Sequence, residues 1–139
     1  MRIICILLSA SLLLAGCVTD SRKALFATDE SQVQVRSFQT RAFDTTDKTK
    51  TLRTIVATMQ DLGFIVSKAD SVIGVVSGTK FVNRDSAVLT VTVRPRGETQ
   101  LIVRANVQQH LKSVEKPEPY QEFFTSLEKA MFLTAQAVD

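Results

Sequence analysis

Cysteine is almost missing from this sequence. Its two cysteines, Cys5 and Cys17, both lie near the start, and none follows. The chain from Val18 onward therefore has no disulfide and no thiol nucleophile, so its stability must come from packing. Histidine is scarcer still, with His110 alone beside a polar turn. One histidine and no later thiol exclude zinc-ligand spacing. A Ser-His-Asp triad would have to recruit His110, yet no serine sits in a G-x-S-x-G elbow. The segment VSGTK holds Gly78 and Lys80 but lacks the spacing of a phosphate loop. The formal charge is only +3, with basic residues scattered among acids, unlike the clustered footprint of a nucleic-acid binder. After the N-terminal segment no apolar run nears the roughly twenty residues of a spanning helix. No repeat or low-complexity tract is present.

The N-terminus does carry a signal. Arg2 supplies positive charge, Ile3 to Leu14 is almost wholly apolar, and Ala15-Gly16 is small. That order is the one a secretory leader needs, and the apolar run is too short to remain as a membrane span.

Leu14-Ala15-Gly16-Cys17 resembles the bacterial lipobox. The resemblance implies cleavage before Cys17, a diacylglyceryl group on its sulfur, and a membrane anchor. More than one acyl chain holds firmly, at about 0.8 kcal/mol per buried methylene. An ordinary cleaved leader with a chance cysteine is the alternative. The next residue is Val18 rather than the Asp that resembles an inner-membrane retention signal. This implies the outer membrane, facing the periplasm. Residues 1–16 are then a signal peptide and 17–31 a lipidated cysteine with a polar tether. Fully extended at ~3.5 Å per residue, that tether reaches about 50 Å. Its Leu25 and Phe26 are suited to docking on the domain or dipping into lipid. Residues 32–139 form one α+β domain, long enough to bury a core.

Within that domain Val33 and Val35 alternate with polar residues, which predicts a strand over 33–43 with a bulge near Phe38. Leu52, Ile55, Val56, Met59 and Leu62 lie on one helical stripe. Thr46 or Asp47 suits the N-cap and Gly63 the left-handed stop, so a helix is expected over 47–62. Strands follow at 64–70 and 72–81, joined by an Asp70-Ser71 turn. Gly74 and Gly78 mark a bulge or a helix packed close. Leu89, Val91 and Val93 alternate with Thr90, Thr92 and Arg94. Leu101, Val103, Ala105 and Val107 alternate with Ile102, Arg104 and Asn106. Around Arg96-Gly97-Glu98 this makes an antiparallel hairpin with one wet face. Pro117 and Pro119 open a last helix over 119–137, with Tyr120, Phe123, Phe124, Leu127, Met131 and Ala135 on its stripe.

The order is β-α-β-β-β-β-α, a single antiparallel sheet with two helices on one face. This resembles the helix-grip domains of BamC-type outer-membrane lipoproteins. The stretches RSFQTRAFDT, MQDLGFIVSKADSVIGVVSGTK and YQEFFTSLEKAMFL resemble a group of small bacterial lipoproteins of unsettled activity. The resemblance implies a fold and no catalytic residue.

Few residues are candidates for chemistry. Asp44 with Asp47, and Asp61 with Asp70, are the carboxylate pairs. A cap role explains Asp47, a turn explains Asp70, and Asp61 belongs to a solvated last helical turn. Arg36, Arg41, Arg94, Arg96 and Arg104 are expected at the wet sheet face or its rim. Arg94, Arg96 and Arg104 are the core of a candidate partner surface. The expectation is a non-enzymatic, lipid-anchored interaction module in an envelope assembly. It has a membrane and protein partners, no nucleic acid, no cofactor and no metal. The alternative is a periplasmic binder of an apolar ligand or lipid, with Met residues and two strand glycines shaping a cavity. A hydrolase of envelope polymers would need a cleft holding His110 or two close carboxylates.

Overall fold

A computed structural model describes residues 32–136, with side-chain surroundings described as far as Phe132. The leader, Cys17 and the tether lie outside these residues. The described residues from Val35 onward belong to one compact unit.

The strongest periodicity produces the longest-range consequence. The stripe from Leu52 to Met59 becomes helix α2, Lys48–Asp61; a shorter helix, α1, covers residues 32–38. Asp47 is the N-cap of α2, its carboxylate accepting from Lys50 N at 2.8 Å. Gly63 follows the last turn at φ +85. Helix α3, Glu118–Gln136, buries Tyr120, Phe123, Phe124 and Leu127. Fully burying one such side chain is worth about 1.5–3 kcal/mol.

Both stripes meet the same side of one antiparallel sheet. Its strands are β1 (Thr40–Phe43), β2 (Ile65–Asp70), β3 (Val75–Val82), β4 (Asp85–Arg96), β5 (Gln100–Gln109) and β6 (Lys112–Ser113). Their order across the sheet is β1-β5-β4-β3-β2, with β6 also on β5. Val91 faces Ala105 and Val93 faces Val103 across the hairpin. All four are buried with Leu89, Leu101 and Val107 beneath α2 and α3. The molecule is thus α+β with one antiparallel sheet, as expected, and with three helices among the described residues rather than two.

The segment 33–43 departs from expectation. Only Thr40–Phe43 is a strand, and residues 32–38 are helical. The apparent alternation rested on Val33 and Val35, and Val33 is 65% exposed. Val35 and Phe38, three apart, are the half-buried pair. The Phe38 ring lies 5.3 Å from that of Tyr120.

The β2–β3 connection also differs. Val72 to Gly74 belong to a turn, not to a strand. Asp70 Oδ1 accepts from Val72 N and Ile73 N, each at 3.0 Å. Gly74 has φ +75, and a Cβ there would stand 2.5 Å from the Val93 carbonyl oxygen. Gly78 serves the other expected purpose, close packing: a Cβ on it would lie 2.9 Å from Met59 Cε. The bulge falls instead on β2, between Val66 and Lys68.

Candidate interaction surface

Alternation in β4 and β5 sends one set of side chains inward and the other out. Thr90 and Thr92 of β4 and Asn106 of β5 face outward, with Ser77 of β3 beside them. Ser77 Oγ and Thr90 Oγ1 are 3.1 Å apart. Arg94 stands opposite Ile102, Arg104 opposite Thr92, and Arg96 opposite Gln100. Arg94 and Arg104 are therefore diagonal cross-strand neighbours, about 7–8 Å apart, and Arg96 follows on the same face. All three are exposed, and none forms an ion pair among the described residues. Three guanidinium groups on one rigid face can bind carboxylate or phosphate oxygens in paired hydrogen bonds.

Two other arginines do not join them. Arg41 lies on the helix side of β1. Its Nη1 donates to Ser37 O at 3.1 Å and Thr40 O at 3.0 Å. Its guanidinium sits 5.2 Å from the Phe124 ring centroid, with Glu128 3.9 Å away. It ties α1 and β1 to α3. Arg36 is an exposed residue of α1.

The acid-base candidates are dispersed. Asp47 caps α2, Asp70 holds its turn, and Asp44 accepts from Gln100 Nε2. Asp61 is exposed at the end of α2. His110 Nε2 lies 3.0 Å from Asp85 Oδ1, with side chains 73% and 58% exposed. A pair so open to water has no enclosed substrate site. Among the described residues no group of three His, Cys, Asp or Glu is placed to hold a metal ion. No described helix is long and apolar enough to cross a membrane.

Among the described residues, concavities flank the sheet. One, of about 130 Å³, lies where the end of α2 meets the start of α3, lined by Leu62, Phe64, Lys80, Val82, Leu89 and Phe123. Another is an open groove of about 390 Å³ between α2 and β2, floored by Leu52, Val56, Ala69 and Val76.

A polar hub escaped the sequence reading. Tyr120 Oη accepts from Gln39 Nε2 and Val107 N, both at 3.2 Å, and donates to Val114 O at 2.7 Å. Ala105 N donates to Gln39 O at 2.9 Å, and Val114 N to Val107 O at 2.8 Å. Between β1 and β6, these bonds seal the outer edge of β5. The available signal was the chain's one tyrosine on a stripe otherwise made of Phe, Leu, Met and Ala. Among the described residues, the opposite edge of the sheet, β2, has no strand beside it.

No protein-family model matches the chain, and comparison with curated proteins finds no match.

Proposed function

We propose that this protein is a lipid-anchored module of a bacterial cell envelope that works by binding rather than catalysis. Its docking face is the outer sheet surface around Arg94, Arg96 and Arg104. The observation that carries this reading is the exposure of those three arginines, without ion-pair partners, on a face fixed by the sheet behind them. The partner is a protein presenting carboxylates. The anchor rests on Leu14-Ala15-Gly16-Cys17 and on the leader before it. The resemblance to BamC-type helix-grip lipoproteins supports an outer-membrane site facing the periplasm, within an assembly or transport machine. Dispersal of His110 and the carboxylates supports a role without catalysis. An enclosed-ligand role ranks second: the cavity between the helices, about 130 Å³, falls below the ~300–1,000 Å³ of ligand pockets, and the groove of about 390 Å³ beside β2 is open to solvent rather than enclosing.

The test combines fatty-acid labelling with crosslinking in intact cells. The wild-type chain is expected to take up palmitate and to crosslink to at least one other envelope protein. Cys17→Ala loses the label. Arg94→Glu with Arg104→Glu keeps the label but lowers partner recovery about tenfold or more, as expected for opposed like charges. Continued labelling of Cys17→Ala overturns the anchor. Partner recovery unchanged by the charge reversal overturns the docking face.

A further inference from the structure

We infer that the β2 edge, which no described strand covers, pairs with β2 of a second copy of this chain, antiparallel about a two-fold axis at Ala69. This rests on the edge alone and is independent of the lipid anchor and of the arginine face.

The sequence through β2 and its turn is IVSKADSVI, Ile65 to Ile73. It reads the same in both directions except at Lys68 and Asp70, which are opposite in charge. Antiparallel pairing about Ala69 therefore sets Lys68 of each copy across from Asp70 of the other. Both residues point to the outer face, since Lys68 stands opposite Ser77 and Asp70 opposite Val75. Directly opposed cross-strand charges of unlike sign stabilise a pair of strands, and like charges repel. Lys68 has no ion pair among the described residues, and only Oδ1 of Asp70 is used by the turn.

The backbone is oriented for this. The Asp70 carbonyl accepts from Gly74 N at 2.9 Å, on the β3 side. Strand alternation then turns the N–H and C=O of Ala69 to the open side, where two copies exchange two hydrogen bonds. Ala69 faces the helix side, opposite Val76, and forms part of the groove floor beside α2. Its methyl lets two such grooves meet. At each end of the seam, the register sets Val72 and Ile73 of one turn towards Val66 and Ile65 of the other copy. Val72 is 86%, Ile73 56% and Ile65 65% exposed, an apolar grouping that a lone chain leaves in water.

A lysine and a bulge on an edge strand commonly guard against aggregation. Here the acid two residues on turns that guard into a selector. Pairing centred on residue 68 or 70 sets like charges together, and centring on Ala69 alone satisfies both. The paired sheet is closed by symmetry and propagates no further at that edge.

Sedimentation of the full chain in detergent tests this. The parent is expected to be a dimer, as is Lys68→Arg. Lys68→Glu opposes two pairs of carboxylates and weakens the dimer about tenfold or more, with an unchanged circular dichroism spectrum. Ala69→Cys places sulfurs on Cα atoms about 5.5 Å apart, within disulfide reach. On oxidation it is expected to give a reducible covalent dimer that the parent, with Cys5 and Cys17, does not. A parent that stays monomeric across the concentration range overturns the inference, as does a dimer that Lys68→Glu leaves intact. Crosslinking of Ala69→Cys only to other proteins assigns the edge to a different partner and overturns it too.

Discussion

Thr58 carries a buried hydroxyl on α2. It is 1% exposed, and its hydroxyl has no hydrogen-bond partner among the described residues. Thr51 and Thr54, on the same helix, return their hydroxyls to Asp47 O at 2.8 Å and Lys50 O at 3.0 Å. A buried hydroxyl without a partner costs about 1–3 kcal/mol, and valine matches threonine closely in shape and in helix propensity. Thr58→Val is therefore expected to stabilise the domain by about 1 kcal/mol. A thermal melt reads this as a midpoint raised by a few degrees; a lower midpoint would show that the hydroxyl has a role the geometry does not reveal.

Among the elements, the β2–β3 turn is the most tightly specified. Lys48 Nζ donates to Val72 O at 2.8 Å, Val93 N donates to Gly74 O at 2.8 Å, and Asp70 ties the turn from below. Gly74→Ala adds a Cβ 2.5 Å from the Val93 carbonyl in a left-handed conformation that itself costs about 1–2 kcal/mol. A total loss of about 3 kcal/mol is expected from strain and clash together, measured by urea denaturation. That Gly74 punctuates a turn rather than a strand was not legible, because Val72 and Ile73 look like strand residues. Their exposure follows from the Asp70 side chain capturing both their amides. By contrast α2, β4 and β5 were legible to within a few residues. Long apolar periods dominate local choice, and Asp47 and Gly63 mark the ends of α2 by chemistry that acts within one turn. Helix α1 has three apolar positions, Val33, Val35 and Phe38, whose spacing starts as a strand's and ends as a helix's, and β6 has only two residues, so neither carries a clear period. Of the candidate surface, the shared face of Arg94 and Arg104 could be read from alternation. Arg41's diversion to Phe124 could not, since it depends on where α3 lies. Strand order, and hence the open β2 edge, is likewise a tertiary property.

The whole molecule is joined at Tyr120. Its hydroxyl binds a residue before β1, an amide within β5 and the carbonyl that follows β6. Tyr120→Phe removes the hydroxyl and keeps the ring, leaving two donors, Gln39 Nε2 and Val107 N, and the Val114 carbonyl without this partner. A loss of about 2 kcal/mol is expected, together with faster hydrogen exchange at the Val107 amide. Unchanged exchange there would show that the bond does not close the edge. Gln39 and Tyr120 are 81 positions apart, and β1 pairs with a strand that follows three others. Strands β2 to β5, by contrast, form a meander of adjacent hairpins whose loops close at low entropic cost. A chain released N-terminus first thus carries β1 without its partner until β5, Gln100–Gln109, has emerged. The meander can form while its β5 border is still bare, and the lock arrives with the final helix. Until Tyr120 has emerged the chain remains threadable, and after that Gln39, just before β1, and the final helix hold one another shut.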